Sequence, residues 1–264
     1  SAYRAIADGI AAVKAEITFT VSEITSDNME SIMEEIQLAE KMVVKDYPEY
    51  FWFDGKCSIG IEGTAVTIKP EAYTVDGVTV TAGSDKLNAA KNQLEQVIAA
   101  ALAKLPSNPS DYEKAHILHD FIIDNVEYLQ QGDHQTAFGA LVGGKAVCAG
   151  YARAYQLLMN SAGIPCTYIG GESYDPTGRK IAHAWNLVWL DGKCYYTDVT
   201  WDDQDSRIYD TYFLADWNSK GFFFETIKDE RYERYTFSKY TDGTVGRAFT
   251  YPSLNTSAYV SHTH

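Results

Sequence analysis

Residues 146–165, AVCAGYARAYQLLMNSAGIP, carry the pattern on which the reading of the chain turns. Tyr151, Ala154, Tyr155, Leu158, Met159 and Ala162 recur at helical spacing, the apolar stripe of one helix over about 149–162. Gly163 with Ile164-Pro165 stops it, since glycine accepts the left-handed conformation that ends helices and proline cannot continue one. Cys148 therefore stands at the helix amino terminus. Unpaired backbone N–H groups and the helix dipole there favour a thiolate, and the same N–H groups can hold an oxyanion.

Downstream, residues 166–169 read as a strand, and 181–190 and 193–200 as two more, joined by Asp191-Gly192. Asp-Gly between apolar runs signals a two-residue hairpin turn. That turn sets Leu190 opposite Lys193 and Asp198 opposite Trp185. Side chains alternate along a strand, so His183 and Trp185 share a face, and Asp198 joins it as a diagonal neighbour of His183. A turn one residue longer would send Asp198 to the other face.

Thiol-based acyl transfer needs a nucleophile, a base to activate it and a third group to fix the base. Cys148, His183 and Asp198 are the candidates for these roles. Each also has a plain alternative: a small buried cysteine, a core histidine between Ala182 and Ala184, and an aspartate capping a turn. Gln135 and Tyr128, upstream of the nucleophile, are candidates for a second oxyanion donor, or else surface residues. Trp185, beside the histidine, is a candidate to shield the site or line an acyl slot, or else a core tryptophan. Cys194 reads as a packing residue.

Upstream, residues 84–105 read as a long helix ended by Pro106 and Pro109. Ser110 opens another through Asn125, with Ala115, Leu118, Phe121 and Ile122 on one face. The first third is mixed: helices near 3–13 and 29–44, an alternating stretch at 16–21, short strand-like runs at 58–61 and 65–68, and the aromatic segment YPEYFWFDGK at 47–56. The expected organisation is an amino-terminal α+β subdomain with a long helix over 1–108, a core over 109–252, and a polar tail over 253–264.

Two stretches, TAFGALVGGKAVCAGYARAYQLLMNSAGIPCTYIGG at 136–171 and AHAWNLVWLDGKCYYTDVTWDD at 182–203, resemble the cysteine block and the histidine and aspartate blocks of bacterial transglutaminase-like proteins. With ILHDFIIDNVEY at 117–128 they cover most of the second half of the chain. YPEYFWFDG looks like a segment that precedes this domain in some bacterial members. The resemblance implies an α+β fold with a papain-like core, the nucleophile helix packed on an antiparallel sheet carrying His183 and Asp198. It implies attack of Cys148 on an amide or peptide bond through a thioester, resolved by water in a protease or deamidase, or by an amine in a transglutaminase. Hydrolysis is the favoured outcome. The alternative is a non-catalytic module of the same fold that binds protein or cell wall.

Other motifs fall short. Residues 139–146, GALVGGKA, miss the phosphate-loop pattern because Ala146 lacks the hydroxyl that would hold magnesium, and Gly143-Gly144 read instead as a tight turn presenting Cys148. Asp198, Asp202, Asp203, Asp205 and Asp210 lack EF-hand spacing, and His262 and His264 lack companion ligands. The expectation is therefore neither cofactor nor metal.

Thirty-six acidic residues against 22 basic ones give a net charge of −14, which repels nucleic acid and anionic membrane. Four cysteines without a CxxC pair exclude zinc-ribbon and disulfide-framework readings. No run is long and apolar enough for membrane insertion. The expected partner is a protein or peptide substrate, and a secreted or cell-surface bacterial setting is the suspected one.

Overall fold

The structure, a computed structural model, describes residues 2–130, 132–174, 177–204, 207–215 and 226–227. The chain groups into two compact units, and the division falls after Ala90, inside a helix.

In the first unit α1 (Ala2–Ala11) and α2 (Met29–Asp46) accompany an antiparallel sheet of β1 (Ile17–Thr20), β3 (Ala65–Pro70) and β2 (Cys57–Glu62), in the order β1-β3-β2. A two-stranded ribbon follows, β4 (Thr74–Val75) with β5 (Val78–Thr79). The aromatic segment supplies core: Phe51, Trp52 and Phe53 are buried, and Trp52 donates its ring N–H to the Ile10 carbonyl at 3.1 Å. The helix α3 (Asp85–Leu102) contains the division between the units.

After the end of α3, the second unit continues with α4 (Asp111–Asn125), started by a capping box in which the Ser110 hydroxyl accepts from the Glu113 amide and the Glu113 carboxylate accepts from the Ser110 amide. Its buried face is Ala115, Leu118, His119 and Ile122. Phe121, expected on that face, is only half-buried, and His119 takes the inward position. Two rungs of parallel pairing join β6 (Glu127–Tyr128) to β7 (Lys145–Ala146), and the five-residue helix α5 (Ala137–Leu141) lies between them in sequence. Gly143-Gly144 follow α5, with Gly144 at a φ of 66°.

The helix α6 (Cys148–Ser161) forms the centre of this unit, buried nearly all round from Ala149 to Met159. Such a helix needs polar anchors only where its tyrosines end. Tyr155 donates its hydroxyl proton to the Ala115 carbonyl at 3.1 Å, and the Tyr151 hydroxyl lies 2.6 Å from Asp203 Oδ2 and 2.8 Å from the Val126 carbonyl.

Against α6 lies an antiparallel sheet in the order β10-β9-β8-β13, formed by β8 (Cys166–Tyr174), β9 (Lys180–Leu190), β10 (Lys193–Thr197) and β13 (Thr226–Ile227). Ala184 packs with Ala149 and Ala152, and Asn186 donates its side-chain N–H to the Ala152 carbonyl at 2.8 Å, so this face of β9 meets α6. Facing the other way, Trp185 and Leu187 pack with Ile169, Cys194 and Tyr196.

Asp191 and Gly192 both adopt positive φ, 51° and 73°, as a type I′ turn demands, and the register pairs Leu190 with Lys193 and Asn186 with Thr197, as the two-residue turn predicts. The strand expected over 193–200 ends earlier, at Thr197. Asp198 instead caps a short helix, α7 (Val199–Asp202), its carboxylate accepting the Trp201 amide at 3.2 Å. The ribbon β11 (Asp203–Gln204) with β12 (Arg207–Ile208) follows. The fold is thus mixed α and β, a buried helix on an antiparallel sheet.

Candidate active site

Cys148 is the first residue of α6 and is half-buried. Val147, at the cap position, offers no side-chain acceptor, so the leading N–H groups of the helix look elsewhere for partners. The Tyr128 phenol lies near enough to the Cys148 amide to feel its N–H, and the β6–β7 pairing holds it one strand away from the nucleophile segment. Two contacts to the His134 carbonyl complete this corner. Val147 donates its N–H to the His134 carbonyl at 3.0 Å, and a Cβ on Gly150 would come within 2.5 Å of that same oxygen.

The imidazole of His183 is buried, with Nε2 2.6 Å from Asp198 Oδ2. Its remaining ring nitrogen, Nδ1, is left for the neighbouring Cys148 side chain, which favours the protonated ring. Burial alone would strip the proton from such a ring, but the charge and hydrogen bond of Asp198, helped by Cys148, outweigh it and push the histidine up to about 10. The imidazole therefore carries its proton at neutral pH. Trp185 underlies the ring, 6.1 Å away between centroids and inclined by 23°, and Trp201 meets it edge-on at 5.5 Å.

Asp198 is fully buried, and its two oxygens face different partners, Oδ2 the histidine and Oδ1 the Trp201 amide. The capping role set out as the plain alternative is thus occupied alongside the histidine contact.

The structure therefore brings Cys148, His183 and Asp198 together, with Tyr128 at the nucleophile's amide. Trp185 is a core residue, 1% exposed. Gln135 is exposed in the loop before α5, and its backbone carbonyl accepts from Arg153 at 2.6 Å. Burial acts on the other thiols. It pushes Cys194 up to about 12 and raises Cys166 well above its ordinary value, and it also raises Cys57, whose sulfur donates to Glu40 at 2.7 Å.

Sequence reasoning missed a second histidine–carboxylate group behind this one. His119, with no exposure, lies between Asp120 Oδ1 at 2.9 Å from Nδ1 and Asp202 Oδ2 at 3.2 Å from Nε2. Burial pushes Asp202 up to about 6 against the opposing pull of His119. The signal in the sequence was the helical spacing Ala115, Leu118, His119, Ile122, which sets a histidine on an apolar face. Of the acids weighed as calcium ligands, Asp198 and Asp202 are committed to histidines and Asp203 to Tyr151, while Asp205, like His262 and His264, lies outside the described residues. Among the described residues, His116, Asp120 and Asp210 form one group with the composition of a cation set, their ligand-type atoms within 4.8 Å of one another. Here His116 Nε2 pairs with Asp210 at 3.0 Å. No helix among the described residues is long and apolar enough to cross a membrane.

The chain is 30% identical over 136 residues to the kyphoscoliosis peptidase of Mus musculus and 29% identical over 126 residues to that of Homo sapiens, covering 44% and 42% of this chain. It spans only about a fifth of those relatives' length, 20% and 18%. A crystal structure of a TGase aligns over 70% of this chain and 50% of its own, at 15% identity and a TM-score of 0.37. The model of the transglutaminase-like superfamily core matches residues 98–201, the span that contains α4, α6, the hairpin and all three clustered side chains. Residues 98–201 of this chain are thus similar to the core of the transglutaminase-like superfamily.

Proposed function

We propose that the chain is a thiol enzyme acting on amide or peptide bonds, with Cys148 as nucleophile, His183 as its proton acceptor and donor, and Asp198 as the group that holds His183. The observation that supports this most is the His183 ring with Nε2 on Asp198 at 2.6 Å and the Cys148 side chain near enough to favour its protonated form. A histidine so placed passes a proton only along the Cys148 side, because the Asp198 side is fixed as N–H to carboxylate.

The Cys148 thiolate attacks the carbonyl carbon, forming a C–S bond and an oxyanion. The Cys148 amide and the Tyr128 hydroxyl, neighbours in the free protein, both turn to that oxygen. The C–N bond breaks as His183 Nδ1 gives its proton to the leaving nitrogen, leaving a thioester. Water, or a primary amine, then loses a proton to His183 as it attacks the thioester and frees the sulfur. Hydrolysis is the favoured outcome, as protease or deamidase, and it accords with the peptidase name of the curated relatives. Transamidation uses the same residues and differs only in the acceptor.

Iodoacetamide labelling near neutral pH with mass mapping, followed by assays of casein hydrolysis and of fluorescent-amine incorporation into casein, tests the reading. Selective modification at Cys148 with loss of both activities in Cys148→Ala is expected. Uniformly slow labelling of all four cysteines would instead favour the non-catalytic binding module.

A further inference from the structure

We infer that His119 is a positioning residue for the proposed active site: through Asp202 it fixes the short helix whose cap is Asp198. The inference rests on the thiol-enzyme reading above.

Asp202 is the node of the segment that follows the aspartate strand. Its amide donates to the Asp198 carbonyl at 3.2 Å, its own carbonyl accepts from Tyr209 at 3.0 Å, and its Oδ1 accepts from Tyr212 at 2.9 Å. The Tyr212 carbonyl in turn accepts the Asp198 amide at 3.0 Å, which closes a ring of bonds around the residue that holds His183. Oδ2 remains, sealed from water, and His119 Nε2 meets it. Remove that partner and a buried carboxylate oxygen is left without a donor, a situation the backbone relieves by moving the segment toward solvent. Asp198 moves with it.

His119 is itself held from several sides. Asp120, on its own helix, takes Nδ1; Phe213 lies 5.1 Å from its ring, and Tyr155 of α6 meets it edge-on at 6.3 Å. His116 stacks at 6.3 Å on the outer side. The ring thus connects α4 to the Asp198 segment by a single directed bond within a packed aromatic setting.

The test compares His119→Asn with His119→Gln. A glutamine amide nitrogen reaches the place of Nε2 and can still donate to Asp202, whereas an asparagine nitrogen reaches only the place of Nδ1. The readout is the rate of iodoacetamide reaction at Cys148 between pH 5 and pH 9. His119→Asn is expected to slow it about tenfold or more at neutral pH and to move the profile toward that of a free thiol, with His119→Gln within about threefold of the wild type. If His119→Asn does not fold, Asp202→Asn, which keeps an acceptor for Tyr212 and a donor for His119, against Asp202→Ala carries the same comparison. Unchanged profiles in every variant, or equal losses in the paired variants, would overturn the inference while leaving the wild-type reading intact. Failure of wild-type Cys148 to label selectively would remove the site reading, and this inference with it.

Discussion

Trp201 and Asp198 hold each other in two ways: the Trp201 amide donates to Asp198 Oδ1 at 3.2 Å, and Asp198 Oδ2 steadies the imidazole that the Trp201 ring meets edge-on. One carboxylate thus serves both as helix cap and as histidine partner, and the two roles separate by mutation. Asp198→Asn keeps an oxygen for the cap but removes the charge that holds His183, so labelling of Cys148 at neutral pH and turnover should fall by about 10²–10⁴-fold with folding largely preserved. Asp198→Ala should lose the same activity and about 1 kcal/mol more stability for the missing cap, measured by denaturant unfolding.

The raised His183 value gives stability a definite pH dependence. A histidine protonated more readily when folded contributes stability that is fully present below its unfolded value of about 6.5 and is lost as pH climbs through its folded value. With that value at about 10, the melting temperature should decline from roughly neutral pH toward pH 10. The decline should flatten in Asp198→Asn, because the charge responsible for most of the elevation is gone. An equally steep decline in that variant would count against the assignment.

Tyr128→Phe removes a hydroxyl from beside the Cys148 amide but leaves sulfur, imidazole and carboxylate in place. Alkylation of Cys148 should stay within a few-fold of the wild type, and kcat on a peptide substrate should drop by about 10²-fold, the usual effect of losing one oxyanion donor. Parallel loss of both would mean that the phenol supports the thiol and not the oxyanion.

Gly150→Ala sets a methyl group 2.5 Å from the His134 carbonyl, which is backbone and bonded to Val147. Neither α6 nor that loop can yield cheaply, so a stability loss of about 1–3 kcal/mol is expected. Because the strain falls two residues from Cys148, slower alkylation should accompany it. A melt indistinguishable from the wild type would refute the close approach.

The sequence made the nucleophile helix and the hairpin legible for different reasons. In 149–162 the apolar stripe has one period throughout, and in Asp191-Gly192 the residue types demand one turn geometry, which sets the register of the hairpin up to Thr197 against Asn186, the residue before Asp198. What stayed hidden depends on partners distant in sequence. β8 runs on through Gly170-Gly171 to Tyr174, where glycines erase the strand signal, and only pairing with β9 restores it. The end of β10 at Thr197 follows from Asp198 turning the chain. His119 reads as a polar interruption of α4 until Asp202, 83 residues later, arrives to receive it.

The Asp191-Gly192 turn is the kind of surface site where chains usually tolerate added or missing residues. Its length here decides on which side of the ribbon the 198 carboxylate emerges. In a library of single-residue insertions and deletions, these two solvent-facing positions should behave like interior ones, and drift among descendants of this chain should change their identity far more readily than their number.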